Sequence, residues 1–257
     1  MGVPVTFKYS DSLRQIVHEF LSRKLLYSNY FMTPLEGMLY ALGNDTLLLQ
    51  QSFEGFNRVF YMSNDGEELR TMLRQLTEKD AINIPTKRGI EDDLLAILAD
   101  SGYSLFATYE RLFKNTNEPR GEFEDNFAVP SDYSKIKDLL LKQLYSPITD
   151  RIPTDEEIRS MIDNHRALVN RDENGAVNGV LLFSIEGKKC NFLEWASTAS
   201  VGESLFLYLN AFNYMSQLGI EKSTIWVRSD NIRPRKIYLS WGYQPDGLKD
   251  YTFLKTK

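Results

Sequence analysis

One order of elements occurs twice in this chain, and that repeat limits the fold more than any other feature. Residues 56–113 run FNRVFYMSN, DGEELRTMLRQL, AINIPT, IEDDLLAILADSGY and SLFATYERLF. Their hydrophobic periods read as strand, helix, strand, helix, strand. The last seventy or so residues repeat the order with KCNFLEWAS, ESLFLYLNAFNYMSQLGI, STIWVRS, IRPRKIYLSWGY and KDYTFLK. In both copies the second helix ends in Gly-Tyr, at Gly102-Tyr103 and at Gly242-Tyr243. A glycine there supplies the left-handed backbone that stops a helix, and the tyrosine can pack back on the last turn.

The flanking segments complete a two-domain plan. Ahead of the first copy, amphipathic helices are expected from about Asp11 to Arg23 and from Pro34 to Leu42. Residues 114–125 are polar and contain Gly and Pro, as a linker would, so the domains are expected at 1–113 and 126–257. The second domain begins with FAVP as a short strand and SDYSKIKDLLLKQLY as a helix, followed by IPTDEEIRSMIDN as a helix with a Thr154–Glu157 capping box. Three strands then turn at Glu173-Asn174-Gly175 and Glu186-Gly187.

Bulk properties remove several function classes. Of 257 residues, 42% are hydrophobic and 25% charged, the balance of an ordinary globular chain. The net charge of −5 disfavours a broad electrostatic grip on nucleic acid or an anionic membrane, so neither is expected as a partner. A single cysteine, Cys190, excludes an intrachain disulfide and reads as buried packing. Two histidines and one cysteine do not make a zinc set, so no metal is expected. No signal-peptide pattern and no long apolar run stands out in the sequence, and the expected location is cytoplasmic.

The chemistry concentrates near the carboxyl end, in NIRPRKIYLSWGY. Asn231 and Tyr238 are seven residues apart, about two helical turns, so they share a helix side and can address one ligand. A phenol with a pKa of about 10 can donate a proton to a thiolate, and an asparagine can anchor an amide-bearing arm. Read on its own, Tyr238 could also be a core aromatic beside Ile237 and Trp241.

The element order of the second half, and the spacing of Asn231, Tyr238, Gly242 and Tyr243, resemble the GNAT N-acyltransferase superfamily. The resemblance implies an α/β fold of two GNAT-like halves, each a mixed central sheet flanked by helices. It implies acyl transfer, acetyl above all, from the pantetheine thioester of acetyl-CoA or another acyl donor to an amine acceptor that the sequence does not name. Tyr238 would protonate the departing sulfur. Backbone on the strand carrying Phe192, Leu193, Trp195, Ala196 and Ser197 would hold the pantetheine amides, with Asn231 and Arg235 as further donor contacts. Aligning Gly102 with Gly242 puts Leu98 in place of Tyr238 and Glu91 in place of Asn231, so the first half is expected to be a reduced, structural copy.

The sequence departs from the family at the pyrophosphate loop. The matching stretch, STASVGESLFLYL, has one glycine, Gly202, with Val201, Glu203 and Ser204 beside it, and no arginine or glutamine at its head. A helix amino terminus still offers N–H groups to a phosphate, but the Glu203 carboxylate competes for them. CoA could bind by other contacts, the donor could be an acyl carrier protein, or activity could be lost. For the base, Glu194 alternates with Phe192 and Ala196, opposite Leu193 and Trp195, on an otherwise apolar strand. It could equally lie in solvent or pair with Arg228. Two rival functions stand beside acyl transfer: a non-catalytic binding module of the same fold, and an aminoacyl-tRNA-dependent transferase.

Overall fold

The computed structural model describes residues 5–31, 34–53, 55–77, 79–116, 121–143 and 152–255. In chain order the elements are α1 (Leu13–Leu21), β1 (Tyr27–Ser28), β2 (Leu39–Leu42), β3 (Thr46–Ser52), β4 (Asn57–Ser63), α2 (Gly66–Arg74), β5 (Asp80–Thr86), α3 (Asp92–Asp100) and β6 (Tyr103–Asn115). There follow α4 (Tyr133–Gln143), α5 (Asp155–Asp163), β7 (Ala167–Arg171), β8 (Val177–Glu186), β9 (Lys189–Ser197), α6 (Val201–Gln217), β10 (Lys222–Arg228), α7 (Ile232–Ser240) and β11 (Gln244–Lys255). The described residues form two compact units, one within Met1–Tyr109 and Gly247–Lys257, the other within Glu110–Ser146 and Asp150–Asp246.

In the first unit the strand order is β2-β3-β4-β5-β11. The β4–β5 pair is parallel and its neighbours antiparallel, so the sheet is mixed. One face packs α2 and α3 through Leu69, Leu73, Ile97 and Leu98 against Val59, Tyr61 and Ile82. The other packs α1 through Leu13, Val17 and Phe20 against Leu47, Leu49 and Phe60. Burying each large aliphatic or aromatic side chain contributes about 1.5–3 kcal/mol, so the alternation along β3 and β4 is what fixes the register.

In the second unit the order is β6-β10-β9-β8-β7, with β9–β10 parallel and β7–β8–β9 antiparallel. Helices α6 and α7 cover one face through Leu207, Tyr208, Ala211 and Tyr238. Helices α4 and α5 cover the other through Ile136, Leu140, Ile158 and Ile162. Both halves are therefore mixed sheets flanked by helices, and the Thr154–Glu157 capping box on α5 forms as the sequence predicts.

Three features differ from the sequence reading. Leu39–Leu42 is a strand and not the end of a helix. Gly43-Asn44-Asp45 turns it into β3 as a hairpin, with the Asn44 and Asp45 N–H groups donating to the Glu68 carboxylate at 2.7 and 2.8 Å. The last strand, read with the second half, places its Lys249–Leu254 segment antiparallel to β5 of the first unit, with Phe253 opposite Ile82. The described part of the linker segment is tied down: Asn210 of α6 accepts the Glu124 N–H at 2.9 Å and donates to the Glu124 carbonyl at 2.7 Å, and Asn213 donates to the Glu122 carbonyl at 3.0 Å. Among the described residues no helix is long and apolar enough to cross a membrane, and no three His, Cys, Asp or Glu side chains cluster as metal ligands.

Candidate active site

The central feature of the second unit is a parting of two parallel strands. The β9–β10 ladder runs from Lys189↔Lys222 to Phe192↔Ile225, after which β9 continues to Ser197 and β10 to Arg228. A β-bulge accompanies the parting. Glu194 lies opposite Leu182 and Phe192 opposite Phe183, which leaves Leu193 as the extra residue. Past the bulge, the Thr198 N–H donates to the Asn178 carbonyl of β8 at 2.8 Å. Backbone direction alternates along a strand, so the N–H and C=O of Trp195 and Ser197 face the gap.

The bulge also corrects the expected facing of Glu194. With Leu193 inserted, Phe192 and Trp195 both pack into the core under α6 and α7. Ala196 belongs to the core under α4 and α5, and Glu194, two residues away and opposite Leu182, shares that side. Glu194 therefore pairs in orientation with Ala196 but not with Phe192. It is half-buried, and its charge helps raise the Tyr238 pKa.

Tyr238 sits on α7 and is buried, at 7% exposure. Its ring centroid is 6.1 Å from those of Trp195 and Trp241 and 6.0 Å from that of Tyr243. Tyr208 of α6 adds a close ring contact, 4.1 Å from Trp241, and escapes sequence reasoning because it reads as one more apolar-face residue of a long helix. Burial, with the nearby Glu194 charge, pushes the Tyr238 phenol well above its ordinary value. It is a weaker acid than the sequence reading assumes, and its chemistry is that of a hydrogen-bond donor that stays protonated. Trp195 contributes a second donor: its indole Nε1 is buried and has no hydrogen-bond acceptor among the described residues.

Asn231 caps α7 without a side-chain cap bond and is exposed, on the same helix side as Tyr238 and two turns nearer solvent. Gly242, with φ +89°, ends the helix. Arg235 donates from Nε to Glu110 at 2.8 Å, an ion pair on a residue that the sequence reading assigns to the donor. Cys190 is fully buried, and burial pushes its thiol up to about 12, which suits packing and not catalysis.

The amino terminus of α6 carries its own anion. Ser200 accepts the Glu203 N–H at 3.3 Å, and the Glu203 carboxylate accepts the Ser200 N–H at 2.8 Å, a reciprocal capping box. The hydrogen bonds from the Ser200 side chain and N–H hold the Glu203 carboxyl below its usual range. A Cβ at Gly202 would meet the Ser200 Oγ at 4.0 Å, an ordinary contact, and Val201 is 69% exposed. Ser204 shares a 2.8 Å hydroxyl contact with Ser197.

A further residue, absent from the sequence reading, reaches the gap from α4. The Ser197 N–H donates to Gln143 Oε1 at 2.8 Å, and Gln143 Nε2 donates to the Ser197 carbonyl at 2.5 Å. No local pattern marks it, because the contact spans 54 residues of sequence.

The first unit repeats the parting and fills it. Its β4–β5 ladder ends at Val59↔Ile82 while β4 continues to Ser63 and β5 to Thr86. There the buried Asn29 donates to the carbonyls of Val59 and Asn83 at 3.1 and 3.0 Å and accepts the Tyr61 N–H at 2.6 Å. Helices α3 and α7 match, each nine residues long and followed by a glycine with positive φ and a buried tyrosine. At the aligned positions, Leu98 is wholly buried and Glu91 caps α3 without a side-chain bond.

No protein-family model matches the sequence. A search of curated proteins finds no match either. Solved structures do match. A GCN5-related N-acetyltransferase from Sphaerobacter thermophilus aligns over 93% of this chain and 84% of its own, with a TM-score of 0.59 at 13% identity. A GNAT-family acetyltransferase from Colwellia psychrerythraea aligns over 99% and 100%, with a TM-score of 0.58 at 11% identity. The glucosamine N-acetyltransferase region of a fungal multi-domain β-N-acetylglucosaminidase aligns over 98% of this chain and 38% of that protein, with a TM-score of 0.62 at 12% identity. At these identities the likeness is one of fold.

Proposed function

We propose that this chain, which has the fold of the GNAT acetyltransferases, is an N-acyltransferase that moves an acyl group from a pantetheine thioester to an amine. The observation that carries the reading is the edge of β9 that β10 leaves past the Leu193 bulge, with Tyr238 in the aromatic cluster beside it. An extended arm with amide groups fits a strand edge, because each amide supplies the donor and acceptor that a neighbouring strand would. In the reaction the acceptor nitrogen attacks the thioester carbonyl, the C–N bond forms and the C–S bond breaks. The leaving sulfur gains a hydrogen bond from Tyr238, and the proton lost by the amine passes to Glu194 directly or through water. The Trp195 Nε1–H is a donor available to a carbonyl oxygen.

The donor's other end is set by Glu203. Its carboxylate accepts the Ser200 N–H at the amino terminus of α6, where the pyrophosphate of CoA would meet a like charge. That favours an acylated carrier protein, whose arm lacks the ADP part, alongside acetyl-CoA as donor. The same like charge supports the second reading, a binding module that keeps the fold without turnover. Calorimetric titration with acetyl-CoA and with an acylated carrier protein, run on the wild type and Tyr238→Phe, tests both. A micromolar dissociation constant, about −8 kcal/mol, with turnover of an amine is expected for the enzyme. Binding without turnover across an acceptor panel of amino acids, aminosugars and polyamines would favour the module.

A further inference from the structure

We infer that Gln143 is an internal placeholder for the donor arm, a side-chain amide that holds the β9 edge at Ser197 and leaves when the arm docks. The inference rests on the reading of the gap as the donor site.

The contact is bidentate, with the Ser197 N–H and C=O both satisfied by one carboxamide, 2.8 and 2.5 Å away. A carboxamide in that pose reproduces what a backbone or pantetheine amide would offer. It lies on the edge from which β10 has parted, beyond the last β9–β10 pair at Phe192↔Ile225. Unpaired backbone at a strand edge invites a partner, and Gln143 supplies one from within the chain.

The first unit shows what a permanent version looks like. Asn29 fills the corresponding parting from a buried position, 4% exposed, with three side-chain bonds and a backbone bond from its own N–H to the Tyr61 carbonyl at 3.2 Å. Gln143 is built for the opposite outcome. It is the last residue of α4, it is exposed, and its two bonds run to one residue through a long side chain. Swinging such a side chain into solvent exchanges its bonds for water, a displacement that costs about tenfold in affinity without barring the arm. The halves thus divide: one parting is filled by β1 together with the buried Asn29, and the other is held by an exposed amide that a ligand can displace.

The test compares wild type with Gln143→Ala and Gln143→Asn, the second keeping the amide on a stem too short to span both Ser197 groups. Two readouts are taken: titration with acetyl-CoA and with free pantetheine, and amide hydrogen exchange at Ser197 with and without ligand. Both variants are expected to bind both probes about tenfold tighter, the size of two exposed hydrogen bonds no longer displaced. Ser197 should exchange faster in the free variants than in free wild type, and equally in all bound forms. Unchanged affinities alongside lost Ser197 protection would overturn the placeholder while leaving the donor site standing. If no form bound either probe while Ser197 protection still fell in the variants, the donor reading itself would fail and the placeholder with it.

Discussion

Asn29 accepts the Tyr61 N–H at 2.6 Å where β4 and β5 part, so its side chain extends the cover that β1 gives β4 through Tyr27↔Ser63 and Ser28↔Met62. Replacing Asn29 with leucine keeps the volume and removes that acceptor and the donors to Val59 and Asn83. Buried backbone groups left without partners are costly, and a loss of about 3 kcal/mol is expected. Denaturant unfolding measures it. A loss under about 0.5 kcal/mol, within the range of ordinary surface substitutions, would mean that water replaces the carboxamide and that the parting is not sealed.

Asp132 and Arg171 form a partly enclosed ion pair of the second unit, with bonds of 2.9 and 2.7 Å and the aspartate side chain 9% exposed. Burial works against the Asp132 charge, but Arg171 and the Val129 N–H outweigh it and hold the carboxyl below its ordinary range. A depressed folded-state value adds stability above the unfolded pKa of about 3.9 and loses it as pH falls through the folded value. Asp132→Asn should therefore be less stable than wild type at neutral pH. The difference should shrink below about pH 4, as followed by melts across pH. A constant gap would assign Asp132 a purely steric role.

Glu203→Ala separates the two donor classes. Removing the carboxylate from the α6 terminus frees the Ser200 N–H and takes away a like charge, while the Ser200 hydroxyl still caps the N–H of residue 203. Affinity for acetyl-CoA should rise several-fold, because an anion at a helix terminus no longer meets another. Affinity for free pantetheine should not change. Equal responses of the two ligands would place the pyrophosphate elsewhere.

The site is only partly legible in the sequence, for physical reasons that differ by residue. Asn231, Tyr238 and Gly242 are local to one helix, and helix spacing and the glycine stop make them readable. The Glu203 conflict is equally local, a capping box within four residues. By contrast, the Leu193 bulge leaves no mark in KCNFLEWAS, since period-2 alternation has no symbol for an inserted residue, and so the facing of Glu194 is misread. Gln143 and Asn29 reach groups on distant segments, which a pattern confined to one element does not register. The destination of β11 is hidden likewise, because pairing with β5 is a choice among equally apolar edges.

Glu194→Gln tests the base. The half-buried carboxylate lies near enough to Tyr238 for its charge to be felt there, while the amide cannot take a proton. Turnover of an amine acceptor should fall by about 10²-fold, the usual size of a general-base contribution, and the acidic limb of the pH–rate profile should vanish. Donor affinity should stay within about twofold, since the change removes a proton acceptor and no binding contact. An unchanged rate across pH would end the base assignment.

Tyr238→Phe is the sharpest test of the reading as a whole. The substitution removes one hydroxyl from a buried ring and leaves the ring's contacts with Trp195, Trp241 and Tyr243 in place, so folding should be retained. A hydrogen bond to the leaving sulfur is worth most as negative charge develops, so kcat should drop by about 10²-fold with little change in donor KM. The pH profile adds a sign. Burial moves the phenol above its ordinary pKa of about 10, so Tyr238 stays protonated below that pH and contributes no alkaline fall in rate. Any alkaline limb of the wild type should therefore persist in Tyr238→Phe. A limb that disappeared with the hydroxyl would mean that the phenol ionises in the working range, as a solvated tyrosine under a nearby positive charge would. A rate left intact would return Tyr238 to the core, as one more ring among Trp195, Tyr208 and Trp241.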